Sequence, residues 1–390
     1  MRSHAFERLL KRRAFLQSAA AAVPLFSLAS GHLLQAAESA SQHMGDLIVR
    51  EQSPPNLEMP LPGFRDYVTP NDLFFVRTHF ETPRIDPRAW KLKIEGAVEK
   101  PIELGYEEIK AMPSKTVTAT LECSGNGRGL LEPKKKGVQW IAGAVGNAKW
   151  TGVSVADILR RAGIKSNAVD IVFVGADRGQ GKDGENLQFL RSIPVEKARD
   201  PDVLLAHEMN GQQLPVNHGF PLRAVVPGWF GVASVKWLER IVVSDKRFLS
   251  YFQSIDYSIW DRHGGIARMQ PITEIQVKSI VAMPAAGESL AANQEVTVRG
   301  AAWSGDADVV KVEFSADGGT SWKQATLIDE PTKHAWRRWE SRWRTPSRPG
   351  RVELLCRATD AAGNEQPTKR DDDRRNYMIN HLVPVTVDIR

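Results

Sequence analysis

The chain changes periodicity near Pro271, and that change limits its fold more than any other feature. Beyond it, Glu295–Gly300, Val309–Phe314, Val352–Ala358 and Val383–Ile389 are short runs in which apolar and polar residues alternate. Successive side chains of a strand point to opposite faces, so alternation of this kind marks half-buried strands. Asp317-Gly318-Gly319-Thr320 is a hairpin turn signal between two of the runs. Helix signals are missing from this stretch, and the pattern predicts a β-sandwich of about 110 residues.

Upstream the pattern is mixed. From about Ser41 to Pro70 the chain is rich in Pro and polar residues and reads as an extended arm wrapping a domain. Leu73–Arg77 is strand-like, and Trp90–Gly96 alternates. Tyr106–Ala111 is a short helix ended by Pro113, and Lys115–Leu121 is a strand that delivers the chain into Cys123. Val153–Gly163 reads as a helix stopped by glycine. Val169–Val174, Leu222–Val226 and Ser234–Val243 read as further strands. This is no regular βαβ series. The expected fold class is therefore α+β, with a mixed α/β domain over residues 41–270 and an all-β sandwich over 271–390.

Only two cysteines, Cys123 and Cys356, occur among 390 residues. They exclude a disulfide scaffold, a Cys-rich zinc site and a Cys-x-x-Cys-His haem attachment. The net charge of +6 is concentrated at the start, where Arg2, Arg8, Lys11, Arg12 and Arg13 stand against Glu7. That is +4 over residues 1–37, and 6 − 4 leaves +2 for the remainder, so nucleic acid is not an expected partner. The paired arginines precede Phe15-Leu16, an Ala-rich apolar stretch from about Ala19 to Ala29, and small residues around Gln35-Ala36-Ala37. The stretch is too short to span a membrane, which takes roughly 20 apolar residues. Residues 1–40 resemble a twin-arginine signal, with a general secretory signal as the alternative. A periplasmic protein, folded around its cofactor before export and without a membrane span once mature, is the expectation.

The segment that carries chemistry is Thr120-Leu121-Glu122-Cys123-Ser124-Gly125-Asn126-Gly127-Arg128. A strand ends, a thiol is presented, and two glycines let the backbone approach something closely. On these residues alone, a buried turn cysteine and a thiolate ligand to a soft or high-valent metal are equally good readings.

The segment resembles the molybdenum-cysteine loop of the sulfite oxidase family. Phe74-Phe75-Val76-Arg77-Thr78-His79 resembles that family's pterin and substrate strand, and Lys136–Trp140 the stretch after its cysteine. Asn217–Arg223 with Ser234–Leu238 resembles its pterin phosphate region, and Phe252–Tyr257 the segment bearing its active-site tyrosine. The likeness runs over roughly residues 60–390, five motifs in the family's order. It implies molybdenum on a molybdopterin, held by Cys123, and oxidation of sulfite to sulfate with the electrons leaving one at a time. It implies Arg77, Arg128, Tyr257 and Trp140 as catalytic residues. Phe74, Phe75, Val76, Arg77, Thr78, His79, Asp177, His218, Arg223, Ser234, Val235 and Lys236 are implied as cofactor contacts. A third anion-binding arginine is expected at Arg374 or Arg375. Sulfite is a small dianion, for which forked arginine donors are suited. The sandwich resembles the family's immunoglobulin-like dimerisation domain. With no haem motif in the chain, a separate c-type cytochrome is the expected electron acceptor, in an assembly that is a homodimer or a complex with a cytochrome subunit. Two other readings stay open: a sulfoxide reductase on the same scaffold, and a non-enzymatic cofactor carrier.

Overall fold

A computed structural model describes residues 47–181 and 184–390. The signal expected over residues 1–40 lies outside the described residues. Strands dominate, and the α-helices among the described residues are Tyr106–Lys110, Val155–Ala162 and Val195–Ala198.

Two sheets build the first part. One runs Ile102–Gly105, Lys91–Gly96, Leu238–Ser244, Asp170–Gln180, Asn186–Pro194, with Leu238–Ser244 parallel to Lys91–Gly96 and the other pairs antiparallel. The other runs Gln212–Gln213, Leu204–Met209, Val145–Ser154, Lys115–Glu122, and Arg223–Val225 adds to Leu204–Met209. Past a hairpin of Ser258–His263 and Ile266–Pro271, two further sheets follow. Val298, Ala302 and Trp339 of one share a buried cluster with Val312, Phe314, Leu354 and Ala358 of the other. Lys278–Met283 and Arg337–Arg344 also belong here as strands, and their alternation is interrupted by charged and aromatic residues.

Three local expectations need correction. Leu73–Arg77 is not a strand. Only Val76 pairs, bridging to Leu57 with both backbone hydrogen bonds at 2.9 Å. The stretch Ser41–Pro70 is more than an arm. Ile48–Glu51 and Asn56–Glu58 form a hairpin whose second strand is fully buried, and Glu58 Oε1 accepts from the backbone N–H groups of Ile141, Ala142 and Gly143. Finally, Ser234–Val243 is a strand only from Leu238. Trp237 takes a left-handed φ of 50°, and its indole donates to Val216 O at 2.8 Å, which breaks the extended run.

The strand Lys115–Glu122 is the element that places the site. Its first half alternates and its last four residues are buried. Its outer edge is covered by the C-terminal region, where Thr120 N donates to His334 O at 2.9 Å and Trp336 N donates to Thr120 Oγ1 at 2.8 Å. An edge closed in this way offers no free ladder to another chain.

Candidate active site

Cys123 follows that strand directly. Its N–H donates to Ala144 O at 2.9 Å, and its carbonyl accepts from Asn126 N at 2.8 Å. The chain then passes Gly127 at φ +99°, a conformation that favours glycine. Cys123 is buried but opens on a cavity.

One end of the cavity is lined by basic side chains. His218, Arg223 and Lys236 line it with Ser234. Arg223 donates to His218 O at 2.9 Å and to Ser234 O at 3.1 Å, and its guanidinium lies 4.8 Å from the Trp150 ring centre. Lys236 Nζ donates to Asn217 O at 2.8 Å. Gly219, at φ +115°, permits this crowding, because a Cβ there would stand 3.0 Å from Arg223 Cβ and 3.1 Å from Lys236 Cβ. Burial lowers Arg223 to about 9 and His218 to about 3. Lys236 falls well below its ordinary value, first through burial and then through Arg223. Asp177 also lines the cavity. Burial raises it to about 7 although Lys236 pulls it down, and its Oδ1 has no hydrogen-bond partner.

Beside the thiol stand Arg77, His79 and Tyr257. Arg77 Nη2 donates to the Tyr257 hydroxyl at 3.4 Å, and His79 Nε2 lies 2.6 Å from the same oxygen. Burial, then Arg77 and Lys236, hold His79 well below its usual range, so the ring is neutral and its Nε2 shares one hydrogen with the phenol. Burial raises Tyr257 to about 12 against the pull of Arg77, which keeps the phenol protonated.

Of the sequence candidates, Phe74, Phe75, Arg77, His79, Cys123, Asp177, His218, Arg223, Ser234, Lys236 and Tyr257 line this one cavity. Val76, Thr78, Val235, Trp140 and Arg128 do not. The chain is extended from Phe75 to His79, so alternate side chains diverge. Val76 bridges to Leu57, and Thr78 donates to Pro55 O at 2.7 Å and to Asn56 Oδ1 at 3.0 Å. Val235 is buried with its carbonyl engaged by Ala224 N. Trp140 is fully buried in the cluster that holds Cys123, and its indole N–H is unpartnered. Arg128 lies behind the cysteine loop, donating to Asn376 O at 2.9 Å and Val138 O at 3.0 Å. Neither Arg374 nor Arg375 reaches the cavity. Arg375 Nη1 donates to Ile255 O, Ser258 O and Ser258 Oγ at 2.7–3.0 Å, while Arg374 pairs with Asp371.

Sequence reasoning missed Phe189, stacked on His79 at 4.4 Å between ring centres, and the fully buried Arg191, which donates to Phe252 O and Ile272 O. Arg191 could have been found as a charged residue on the core face of an alternating strand. It also missed Lys278, which pairs with Glu122 at 2.9 Å and reaches the cysteine loop from the far part of the chain.

The residues fit a molybdopterin. The cavity joins a thiol to a basic, phosphate-suited end, and the buried Asp177 Oδ1 and Ser124 Oγ have no partners within the chain. Buried polar atoms are nearly always hydrogen-bonded, so these orphans match a polar occupant. Among the described residues no group of three or more His, Cys, Asp or Glu could hold a metal alone. A metal here fits one thiolate plus ligands brought by a cofactor.

Comparison with known proteins agrees. The family described as oxidoreductase molybdopterin binding domain matches residues 79–252, and the Mo-co oxidoreductase dimerisation domain matches residues 269–388. The fold, the cavity and these matches define a molybdopterin-binding protein with a dimerisation domain of the same family type. Mitochondrial sulfite oxidase of Drosophila melanogaster is 39% identical over 361 residues, 86% of this chain and 62% of that protein. Sulfite oxidase of Gallus gallus is 37% identical over 84% of this chain and 74% of its own. Sulfite oxidase of Arabidopsis thaliana is 34% identical over 82% of this chain and 88% of its own. The crystal structure of the sulfane dehydrogenase SoxCD from Paracoccus pantotrophus superposes with a TM-score of 0.75 at 26% identity, over 95% of this chain and 91% of that one. The chain belongs to the sulfite oxidase family, and its cofactor is a molybdopterin carrying molybdenum.

Proposed function

We propose that this protein oxidises sulfite to sulfate in the periplasm and passes the electrons to a c-type cytochrome. The observation that carries the reading is the convergence of Cys123, Arg77, His79 and Tyr257 on one wall of a cavity whose other end is lined by basic side chains. When bound, the molybdenum cofactor supplies the oxygen-atom and two-electron chemistry by which sulfite and water become sulfate, two protons and two electrons. His218, Arg223, Ser234 and Lys236 would hold its phosphate, Asp177 its polar ring edge, and Cys123 its metal.

The chain's own residues bind and orient the substrate. Arg77 presents fixed positive charge at the thiol end, and Arg128 adds charge from behind the loop. A side chain at Gly125 would collide with the Arg128 guanidinium, so glycine lets that charge lie against the loop. The Tyr257 hydroxyl accepts from Arg77 and is hydrogen-bonded to His79, which holds the phenol in a fixed orientation beside the anion. In a dry cavity such fixed donors act more strongly than in water.

Export rests on the twin-arginine pattern of residues 1–40. Among the described residues no helix is long and apolar enough to cross a membrane. We read residues 41–270 as the catalytic domain. Residues 271–390 are read as an immunoglobulin-like dimerisation domain, in a homodimer or in a complex with a cytochrome subunit.

The test is a stopped assay of the full-length purified protein with metal analysis, using sulfite as donor and ferricyanide or cytochrome c as acceptor. Turnover with cytochrome c and about one molybdenum per chain is the expected result. Molybdenum without turnover would refute the sulfite reading and direct the assay to sulfoxides. Cys123→Ser should abolish turnover, and substantial sulfite oxidation by that variant would remove Cys123 from the metal.

A further inference from the structure

The back of the cysteine loop is covered by residues that come from the far end of the chain. Asn376 O accepts from Arg128 Nε, and Asn376 Nδ2 donates to Lys136 O at 2.9 Å. Met378 N donates to Ser124 O at 2.7 Å. Ile379 packs against Gly127, where a Cβ would come within 2.9 Å of its side chain. Arg375 and Met378 flank the centre of this strap, and both hold a left-handed φ, 58° and 52°, without being glycine. Such conformations cost energy and persist only where their surroundings overdetermine them.

Tyr377 lies at the centre. Its ring is buried between Tyr257, which lines the cavity, and Arg128, which lies behind the cysteine loop. The Arg128 guanidinium carbon stands 5.1 Å from its ring centre, and the Tyr257 ring lies 5.2 Å away with the planes at 37°. Its hydroxyl donates to Asp256 Oδ1 at 2.8 Å. Asp256 immediately precedes Tyr257 in the chain, so this bond fixes the turn from which the Tyr257 hydroxyl reaches Arg77 and His79.

We propose that Tyr377 is a positioning residue of the oxyanion pocket: its ring seats the Arg128 guanidinium, and its hydroxyl, through Asp256, sets Tyr257. It touches neither substrate nor reacting atoms. The inference rests on the reading of the cavity as an oxyanion site. Its two parts separate by substitution. Tyr377→Phe keeps the ring and loses only the bond to Asp256. Tyr377→Leu also removes the aromatic face from beneath Arg128.

The experiment uses the full-length, cofactor-loaded protein and two readouts: steady-state sulfite oxidation, and sulfate binding by titration calorimetry. Tyr377→Phe should lower kcat by about tenfold, the weight of one hydrogen bond to a charged group, with KM nearly unchanged. Tyr377→Leu should in addition weaken sulfate binding by roughly three- to tenfold, the loss of a buried cation–π contact. In a Tyr257→Phe background, Tyr377→Phe should cost nothing further, because its effect passes through the Tyr257 hydroxyl. A purely structural role predicts instead that the two losses multiply, and that outcome overturns the proposal. Unchanged kcat in the Phe variant, or unchanged sulfate affinity in the Leu variant, overturns it too. Should the wild type bind sulfate without oxidising sulfite, the sulfite reading falls, while the sulfate affinities of the wild type and Tyr377→Leu still decide this one.

Discussion

Replacing Lys278 with methionine strands a buried carboxylate without its cation. Lys278 Nζ donates to Glu122 Oε1 at 2.9 Å and to Asn126 O at 3.2 Å. Glu122 also accepts from Asn126 Nδ2 at 3.0 Å and from Trp303 Nε1 at 2.9 Å. Both charged side chains are buried, at 8% and 3% exposure, so solvent screens the pair little. Methionine keeps the apolar stem and the approximate length, and the lost quantity is the charge. Removing one partner of a buried ion pair costs ~3–5 kcal/mol. Unfolding entropy of ~2.1 cal/mol/K per residue amounts to ~0.8 kcal/mol/K for a chain of this length, so the melting temperature should fall by ~4–6 °C. The assay is thermal melting, followed by circular dichroism, of the loaded full-length protein. Glu122→Gln combined with Lys278→Met removes both charges and keeps an acceptor for Trp303, and it should recover most of the loss. A Lys278→Met melt within ~1 °C of wild type, or a double variant as unstable as the two single changes added, would refute the reasoning. Because Glu122 precedes Cys123, the same variant should also retain less molybdenum after gel filtration.

Arg128→Gln should raise KM for sulfite several-fold while metal content stays normal, since a buried positive charge behind the cysteine loop is lost while the thiol stays intact; an unchanged KM would show that this charge does not act on the anion. Asp177 gives a pH signature in the cofactor-free protein. Its folded value of about 7 lies above its ordinary 3.8, so between those values the folded chain binds more protons than the unfolded chain, and stability falls as pH rises. The fall due to this group is on the order of 4 kcal/mol between pH 4 and 7, and Asp177→Asn should flatten it in urea unfolding curves. Arg191→Met should destabilise the protein by ~3 kcal/mol or more in the same curves and lower kcat, because the carbonyls of Phe252 and Ile272 lose their donor close behind Tyr257. A kcat equal to wild type would show that the 252–257 turn holds without it.

What the sequence makes legible is local, and what it hides is brought together by topology. Cys123 stands out because a strand, a thiol and two glycines follow one another within a few residues, and the resemblance to the sulfite oxidase family decides between a turn cysteine and a ligand. The basic end is legible through that resemblance alone, carried by His218, Arg223 and Lys236 in two short neighbouring segments. The sorting of residues 75–79 is not legible in the sequence, which presents Val76 and Thr78 as contacts too; the bridge of Val76 to Leu57 turns those two away while Arg77 and His79 face the cavity. The failures have the opposite cause. Arg128 is near Cys123 in sequence, but Asn376, which holds its Nε, is not, and so the strap that turns it away from the cavity wall could not be foreseen. Arg375 is diverted for the same reason, since its acceptors are backbone oxygens of residues 255 and 258, and carbonyls leave no mark in a sequence. Lys278 and Trp303 look like ordinary strand residues until they are found on the carboxylate beside the thiol. The C-terminal region is therefore part of the site's construction. It supplies the cation for Glu122, the ring beneath Arg128 and the partner of Ser124 O, and a chain lacking it would lose the supports of Cys123 and Tyr257 together.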